Sequence, residues 1–564
     1  MRINKHFWST YAKKLDWGKF PKKIFSKKDN RPEWFSDGKI NIYYNCITRH
    51  IKNGNGKKTA IYYIESNGRI SKYSYLNVSE LVEKFTHFLL KRIKSNKSRI
   101  LIHASASLDT SIAMLACANL GLHFSVIFEE LKDDALFKRI RLFKPEIILT
   151  KKDEKKRTIK DIKLYKLHFY KKLSKKVKNH KSKLFKSNRP LFTLFTSGST
   201  GMPKGITHSS GGYLLYSYYT CENFFGLSKK SLILTASDAG WINGHTYAIF
   251  GPLSIGATTL ILEKPLALLN KKILISSLNL GVSIFYVPVT LLRLMKSIYR
   301  NTNFKTKYLK TLGSMGEPLA NSVGRWFANS FGSKNIPIVN TYFQTETGGI
   351  ITSHKYNDKI YPSLYGYVGT PIKNHIRLNN LSKKKKEIKI INSWPGQMIN
   401  VINSKKHWEK YFDKDLNFRL FDYGTKHKKN IFIHGRTDDV INIRGHRIGS
   451  SEIETVILEI NSIIECSAIS VEDEIEGNIF YLFCICSKKN NDEIEKKIIK
   501  NFGTFAIPKK IFFVNELPKT RSGKIMRRIL RDLVKNPHKK IKTDISTLLN
   551  RNVLKDISKI IINQ

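Results

Sequence analysis

Acidic residues are scarce in this chain. Forty-four Asp and Glu face 99 Lys and Arg over 564 residues, giving a formal charge of +55 at pH 7. Cysteine is scarce too: six residues are too few for a disulfide framework. Only Cys484 and Cys486 lie close together, and C-x-C without a second pair or a nearby His is no zinc site. A reducing, cytoplasmic setting is therefore expected. The longest apolar stretch, 111–128, is broken by Asn119, Gly121 and His123, so it reads as a buried helix followed by a strand rather than a membrane span. The first residues, MRINKHFWSTYAKKLDW, lack the apolar core of a secretory signal, although a basic transit segment stays open. A composition of 41% hydrophobic and 11% aromatic residues excludes a disordered or collagen-like polymer.

The positive charge admits two readings. It could mark a nucleic-acid or anionic-surface binder. It could instead be compositional bias, because Lys, Asn and Ile are all abundant and the lysines are scattered over the whole length. Nucleic-acid binders concentrate charge on one face, so the second reading is preferred and neither nucleic acid nor membrane is an expected partner. The densest basic run, 151–186, reads as a solvated face.

Short apolar runs at 99–105, 124–128, 146–150, 191–196, 231–237, 258–263 and 283–288 have strand texture. They alternate with helical spacing at 76–94, 109–120 and 289–300. This alternation predicts an α/β fold with largely parallel sheets. From about 375 the strands become shorter and turn-rich. A compact segment follows, with helices at 451–461 and 492–501 and strands near 465–471 and 479–486. It predicts a smaller α+β lid. The expected division is 1–437, 438–540 and a loosely packed polar tail, 541–564.

The strongest local signal is Thr196-Ser197-Gly198-Ser199-Thr200-Gly201-Met202-Pro203-Lys204-Gly205, directly after the strand PLFTLFT. Its glycines permit conformations in which consecutive N–H groups curl around an anion, and hydroxyls add donors. Lys204 adds a mobile positive charge. The combination suits a polyphosphate, but the spacing is not that of a Walker loop.

Beyond this loop the chain resembles the acyl-adenylate-forming superfamily, and within it the AMP-forming acetyl-CoA synthetases. The resemblance is carried in order by residues 34–48 and 237–263, GSMGEP (313–318), NTYFQTETGG (340–349), SWPGQM (393–398), FDYG (421–424), GRTDDVINIRGHRIGSSEIE (435–454) and LPKTRSGKIMRR (517–528). It implies a large domain of mixed and parallel sheets with a small distorted β-barrel, and a mobile lid. It also implies a two-step reaction: a carboxylate attacks the α-phosphate of Mg-ATP, and a thiol, normally that of CoA, then takes the acyl group.

The residue types suit that chemistry. Attack at phosphorus builds charge on oxygens, so positioning and positive charge should dominate. The resemblance assigns that charge to Lys524 on the lid and a hinge role to Asp438. It assigns Glu346 to magnesium and Thr345 to the α-phosphate. Gly316, Glu317 and Pro318, with Asn340, Thr341, Tyr342, Phe343, Gln344 and Thr345, would flank adenine. Asp422 would accept the ribose hydroxyls, and Arg436 and Arg447 would contact ribose and phosphate. Ile242, Asn243, Met315 and Phe343 would bound the acid pocket, with Phe343 standing where the acetate enzymes carry Trp. A smaller ring adds volume while Met315 and Ile242 refill it, so acetate and propionate both stay open.

Departures collect on the CoA side, where Asn243, Arg444 and Gly445 are the expected contacts. The family's F-G-G-F run reads Phe128-Glu129-Glu130-Leu131. A phosphate-binding Arg aligns with Ile499, for which Lys497 or Lys500 could substitute, Lys155, Lys156 or Arg157 could replace the family's other basic residues near there, and a metal-binding His of the lid aligns with Ile460. Three functions compete: a short-chain acyl-CoA synthetase, an adenylating enzyme serving a carrier-protein thiol or an amine, and a basic binding protein on a retired fold. The intact lid block favours the first.

Overall fold

The computed structural model describes the chain apart from residues 1–3, 29–30, 130, 132, 152–161, 173–181, 197–202, 333–335, 373–375, 403–404, 438–439, 444–445, 474–476, 521–522, 539–540, 542, 544, 546–547 and 564. The basic run at 151–186 therefore lies largely outside the described residues.

Two seven-stranded sheets build the large domain. In the first, four parallel neighbours, His123–Ile127, Arg99–His103, Ile147–Thr150 and Lys163–Lys166, extend from Pro190–Thr196. On its other edge Pro190–Thr196 pairs antiparallel with Lys204–Ser209, and that strand pairs antiparallel with Asn400–Ile402. In the second sheet, Ile338–Asn340, Thr311–Met315, Ile284–Pro288, Leu232–Thr235, Thr258–Leu262 and Thr59–Ile64 run parallel. Ile70–Ser74 closes its edge as a hairpin. The short apolar runs of the sequence are these strands. Their near-continuous hydrophobicity follows from burial on both faces.

The helices obey the same logic. Ser107 caps Leu108–Asn119, whose residues are apolar or small on almost every side because the helix is buried throughout. Ser74 and Asn77 form a reciprocal capping box at Tyr75–Leu90. Trp8, on the first helix, Lys5–Ala12, is fully buried and packs edge-on against Trp34 and Tyr219. This anchors the N-terminal segment to the large core.

Beyond residue 380 the strands Lys386–Ile390, Phe418–His427 and Asn430–Arg436 form an antiparallel sheet. The resemblance implies a distorted barrel here, but the described strands make an open three-stranded sheet. Bulges at Glu387/Lys389 and Tyr423/Gly424 bend it without closing it.

The lid is α+β, as its sequence predicts. Ile463–Asp473, Gly477–Cys486 and Lys510–Phe513 form its sheet, with helices Ser450–Ile457, Asn491–Phe502 and Arg527–Lys535. One apolar cluster joins Ile453, Ile457 and Ile463 of the lid to Leu291, Leu292 and Phe327 of the large domain. The lid is thus docked, not detached.

The tail departs from expectation. Asn552–Ile562 is a helix, and its Val553 and Ile557 enter the lid core beside Leu530 and Leu533. Its composition is polar, but its apolar residues recur at helical spacing and one stripe is buried. Ile557 is only 1% exposed. Ile557→Ala should destabilise the lid by about 2–5 kcal/mol, seen as an earlier denaturant midpoint for lid probes; an unshifted midpoint would mean that the tail helix contributes nothing.

Candidate active site

The nucleotide-side residues converge where the first sheet, the 340–349 segment and the three-stranded sheet meet. Thr196 and Lys204 are paired across the two strands that flank the glycine loop, so they stand at its mouth. Ser197, Gly198, Ser199, Thr200 and Gly201 themselves lie outside the described residues. The Lys204 ammonium sits over the Tyr411 ring, 5.5 Å from its centroid.

Tyr411 is the centre of this cluster. Its hydroxyl donates to Glu346 Oε1 at 2.5 Å, and its buried ring stacks on Phe418. Burial, with the Glu346 carboxylate beside it, pushes the Tyr411 phenol far up, so it stays a donor. Glu346 is held from its backbone as well, since Met398 N–H donates to its carbonyl at 3.0 Å. Thr345 is fixed by buried His208, whose Nε2–H donates to the Thr345 carbonyl at 2.7 Å. Burial pushes the His208 imidazole down to about 4, which keeps that ring neutral. Trp394 donates to the Thr347 carbonyl at 2.9 Å. Gly348 turns at φ +70°, and a Cβ there would lie 2.2 Å from the Gly396 carbonyl. The SWPGQM block therefore braces the QTETGG turn.

Asp422 is the buried acid of the site, at 6% exposure. It accepts from Tyr342 Oη at 2.5 Å and from Gln344 Nε2 at 2.7 Å, and Arg436 Nη1 stands 3.6 Å from its other oxygen. Burial raises its pKa, and the charges of Arg436 and Lys524 oppose that rise. The preceding residue, Phe421, adopts φ +55°. For a non-glycine residue this conformation costs on the order of 1–2 kcal/mol. The Phe421 ring is held by Arg419, Arg436 and Tyr411, at 4.8, 5.8 and 5.6 Å.

The adenine segment is only partly as expected. Asn340 spends its side chain on structure: Oδ1 accepts from Ser314, and Nδ2 donates to the carbonyls of Tyr365 and Tyr367. Thr341 is likewise tied to Ser314 and Tyr286. Neither side chain is presented as a donor to a ligand. Gly316 turns at φ +92° beside open space. Glu317, next to Pro318, is committed to Arg293 at 2.8 Å.

Lys524 lies on the lid. A tight hairpin is closed by Thr520 N–H on the Lys524 carbonyl and by Gly523 N–H on the Thr520 carbonyl, both at 2.8 Å. Gly523 lies at φ +83° against Thr290 of the helix Val289–Ile298. Lys524 itself is exposed, and its positive charge opposes the rise that burial gives the Asp422 pKa. Asp438, Arg444 and Gly445 lie outside the described residues, as does the side chain of Arg447.

At the acid pocket, the Asn243 amide donates to Met315 Sδ, so these two positions meet. Ile242 and Met315 are buried in one cluster, against which Phe343 packs. The Phe343 ring lies 5.8 Å from Tyr247 in an edge contact. Phe128 packs on Trp241, and Ile499 is 37% exposed on the lid surface. Ile460 is buried in the lid–large-domain cluster.

Glu346 supplies an anionic oxygen here. Among the described residues no group of three or more His, Cys, Asp or Glu could hold a metal. A single carboxylate fits a magnesium ion that arrives with triphosphate and keeps waters, not one caged by protein.

Sequence reading missed Tyr411, His208 and Arg293. No motif marks them, and only tertiary contact reveals them.

Comparison with known proteins agrees with this layout. The description "AMP-binding enzyme" matches residues 48–390, "AMP-binding enzyme C-terminal domain" matches 452–524, and "Acetyl-coenzyme A synthetase N-terminus" matches 3–46. An acetyl-coenzyme A synthetase of Herminiimonas arsenicoxydans is 32% identical, covering 98% of this chain and 93% of that protein. One from Helicobacter pylori strain P12 is also 32% identical, over 99% and 93%. An acetoacetyl-CoA synthetase from Streptomyces lividans shares the fold, with TM-score 0.85 and 16% identity over 99% of this chain and 92% of that one.

The Gly523 contact is directly testable. An added Cβ would lie 2.6 Å from Thr290 Oγ1 at a backbone angle that side chains resist. Gly523→Ala should loosen the hairpin and raise protease cleavage at 519–525; cleavage unchanged from wild type would remove this contact as the seat of Lys524.

Proposed function

The chain belongs to the AMP-binding enzyme family, and from that premise we infer an AMP-forming acid–thiol ligase that activates a short-chain carboxylate with ATP and passes the acyl group to CoA. The observation that carries the residue assignments is the meeting of charges from two domains. Lys524, on the lid, is near enough to Asp422 for its charge to be felt there, while Lys204 and Glu346 meet at Tyr411.

In this reading Asp422, held by Tyr342 and Gln344, receives the ribose hydroxyls on its remaining acceptor sites. Arg436 fixes the same carboxylate and presents a guanidinium towards the sugar–phosphate. Thr196, Lys204 and the glycine loop cradle the leaving phosphates. Thr345, its carbonyl pinned by His208, offers its hydroxyl to the α-phosphate. Magnesium, when bound with the triphosphate, neutralises phosphate charge. Glu346 would hold it, oriented by Tyr411. The carboxylate substrate enters beside Phe343, Met315, Asn243 and Ile242 and attacks the α-phosphorus, giving acyl-AMP and pyrophosphate. Lys524 stabilises the negative charge that grows on the phosphoryl oxygens as the carboxylate attacks. CoA thiolate then attacks the acyl carbon and AMP leaves. The acid itself is acetate or propionate, since Phe343 enlarges the pocket and Met315 fills it. No helix of the described residues is long and apolar enough to cross a membrane. Free cysteines throughout the described chain support a cytoplasmic placement.

Two substitutions test these roles. Lys524→Ala should lower acid-dependent pyrophosphate exchange by about 100- to 1000-fold with little change in ATP binding, as for a group acting mainly in the transition state. Unchanged exchange would refute the role. Phe343→Trp should reduce propionate use relative to acetate by roughly 10-fold or more, measured as the ratio of kcat/KM values in exchange assays with and without CoA. A constant ratio would take Phe343 out of the pocket.

A further inference from the structure

A buried carboxylate beneath the Lys524 hairpin has no part in the chemistry described so far. Glu465 lies on the lid strand Ile463–Asp473 and is 1% exposed. One oxygen is ion-paired with Lys519 Nζ, and the other, Oε1, has no hydrogen-bond partner among the described residues. A register shift between Ile463 and Glu465 re-aims this side chain relative to its neighbours. Lys519 pairs with Ile525 at the base of the hairpin that ends in Lys524. Across the interface stands Arg293, itself buried, with Nη1 on Glu317 and Nε without a partner. Thr290, three residues earlier on the same helix, touches Gly523.

We propose that Glu465 is a positioning residue that seats the Lys524 hairpin for adenylate formation, by anchoring Lys519 beneath it and facing Arg293 of the large domain. The assignment rests on the ligase reading above. An ionised carboxylate at this depth needs compensation, and Lys519 satisfies only one oxygen. Arg293 lies on a helix that packs against the strand carrying Glu465; burial disfavours its charge, and Glu317 and then Glu465 favour it. Glu454 is different in kind. Arg527 binds it through both oxygens and Ala468 N–H donates to it, so its bonds stay within the lid. Glu465 instead is bonded to the base of the hairpin and lies on the strand that packs against the helix of Arg293. Arg293 in turn holds Glu317 of the adenine segment. The buried pairs Glu317–Arg293 and Glu465–Lys519 therefore lie on packed elements of the two domains.

The experiment separates the two half-reactions in the full-length protein. In Glu465→Gln, acid-dependent pyrophosphate exchange should fall about 10-fold, while thioester formation from supplied acyl-AMP and CoA stays within about twofold of wild type. Deuterium uptake at 519–525 should rise. Arg293→Gln, made on the other domain, should reproduce the same asymmetry, and the double variant should be no worse than the weaker single, as expected of one coupled pair. Equal loss in both half-reactions would mark Glu465 as merely structural and overturn the proposal. So would unchanged exchange in Arg293→Gln, which decides the matter where the Glu465→Gln chain is too unstable to assay. A wild-type chain that exchanges pyrophosphate with no carboxylate would overturn the ligase reading itself, and this assignment with it.

Discussion

The site depends on one contact between domains: the turn at Gly523 pressed against Thr290. A lysine side chain is long and flexible, and on a separate domain it would sample a large volume. Fixing the peptide beside it converts that freedom into a charge at a stated place. The fixing needs a residue without a Cβ, because the turn has φ +83° and the helix lies against it. It also needs a rigid wall. The helix Val289–Ile298 provides one, with Val289, Leu292 and Met295 buried in the cluster shared by lid and large domain. The Lys524 charge can then oppose the rise that burial gives the Asp422 pKa, although it belongs to another domain and remains exposed.

In a chain with 99 basic residues, another lysine carries little information, and the sparse carboxylates carry more. Asp422, Glu346, Glu317, Glu454 and Glu465 are each given a specific partner. Tyr342 and Gln344 hold the first, Tyr411 the second, Arg293 the third, Arg527 the fourth and Lys519 the fifth. Surface pairs such as Lys14–Glu222, with the lysine half exposed, add little to stability. The functional electrostatics therefore lie in where the acids are placed. The large net charge is compatible with this, because scattered lysines in water do not perturb buried pairs strongly.

Much of this was legible in the sequence. Apolar runs of four to seven residues gave the strands, because strands covered on both faces tolerate little else. The glycine loop, QTETGG, FDYG and SGK marked the site because backbone turns and reactive side chains tie residue types to positions. Other features were hidden for physical reasons. Tyr411, His208 and Arg293 are ordinary residues whose roles come from contacts far away in sequence, 65 positions in the case of Tyr411 and Glu346. Asn340 and Thr341 fall inside a motif, yet their side chains brace the strand ends instead of meeting a ligand. The tail helix was masked by its polar composition, since only a narrow stripe is buried. Phe421 at φ +55° was also invisible, because nothing in FDYG announces that a phenylalanine takes a conformation favoured by glycine.

A lid whose orientation sets the position of one lysine cannot rely on apolar contact alone. The shared cluster around Leu291, Phe327, Ile453 and Ile457 is non-directional and would hold several nearby orientations about equally well. Buried charges behave differently. Desolvation removes most of their net stabilising effect, so they do not weld the interface shut. Their unpaired states are nevertheless costly, and misalignment by a few ångströms exposes that cost. An interface with apolar area for adhesion and a short buried ionic chain for direction can therefore be both reversible and selective in orientation. The buried pairs Glu317–Arg293 and Lys519–Glu465, on packed elements of the two domains, have this character. They stand between the Gly316–Pro318 turn and the hairpin that carries Lys524.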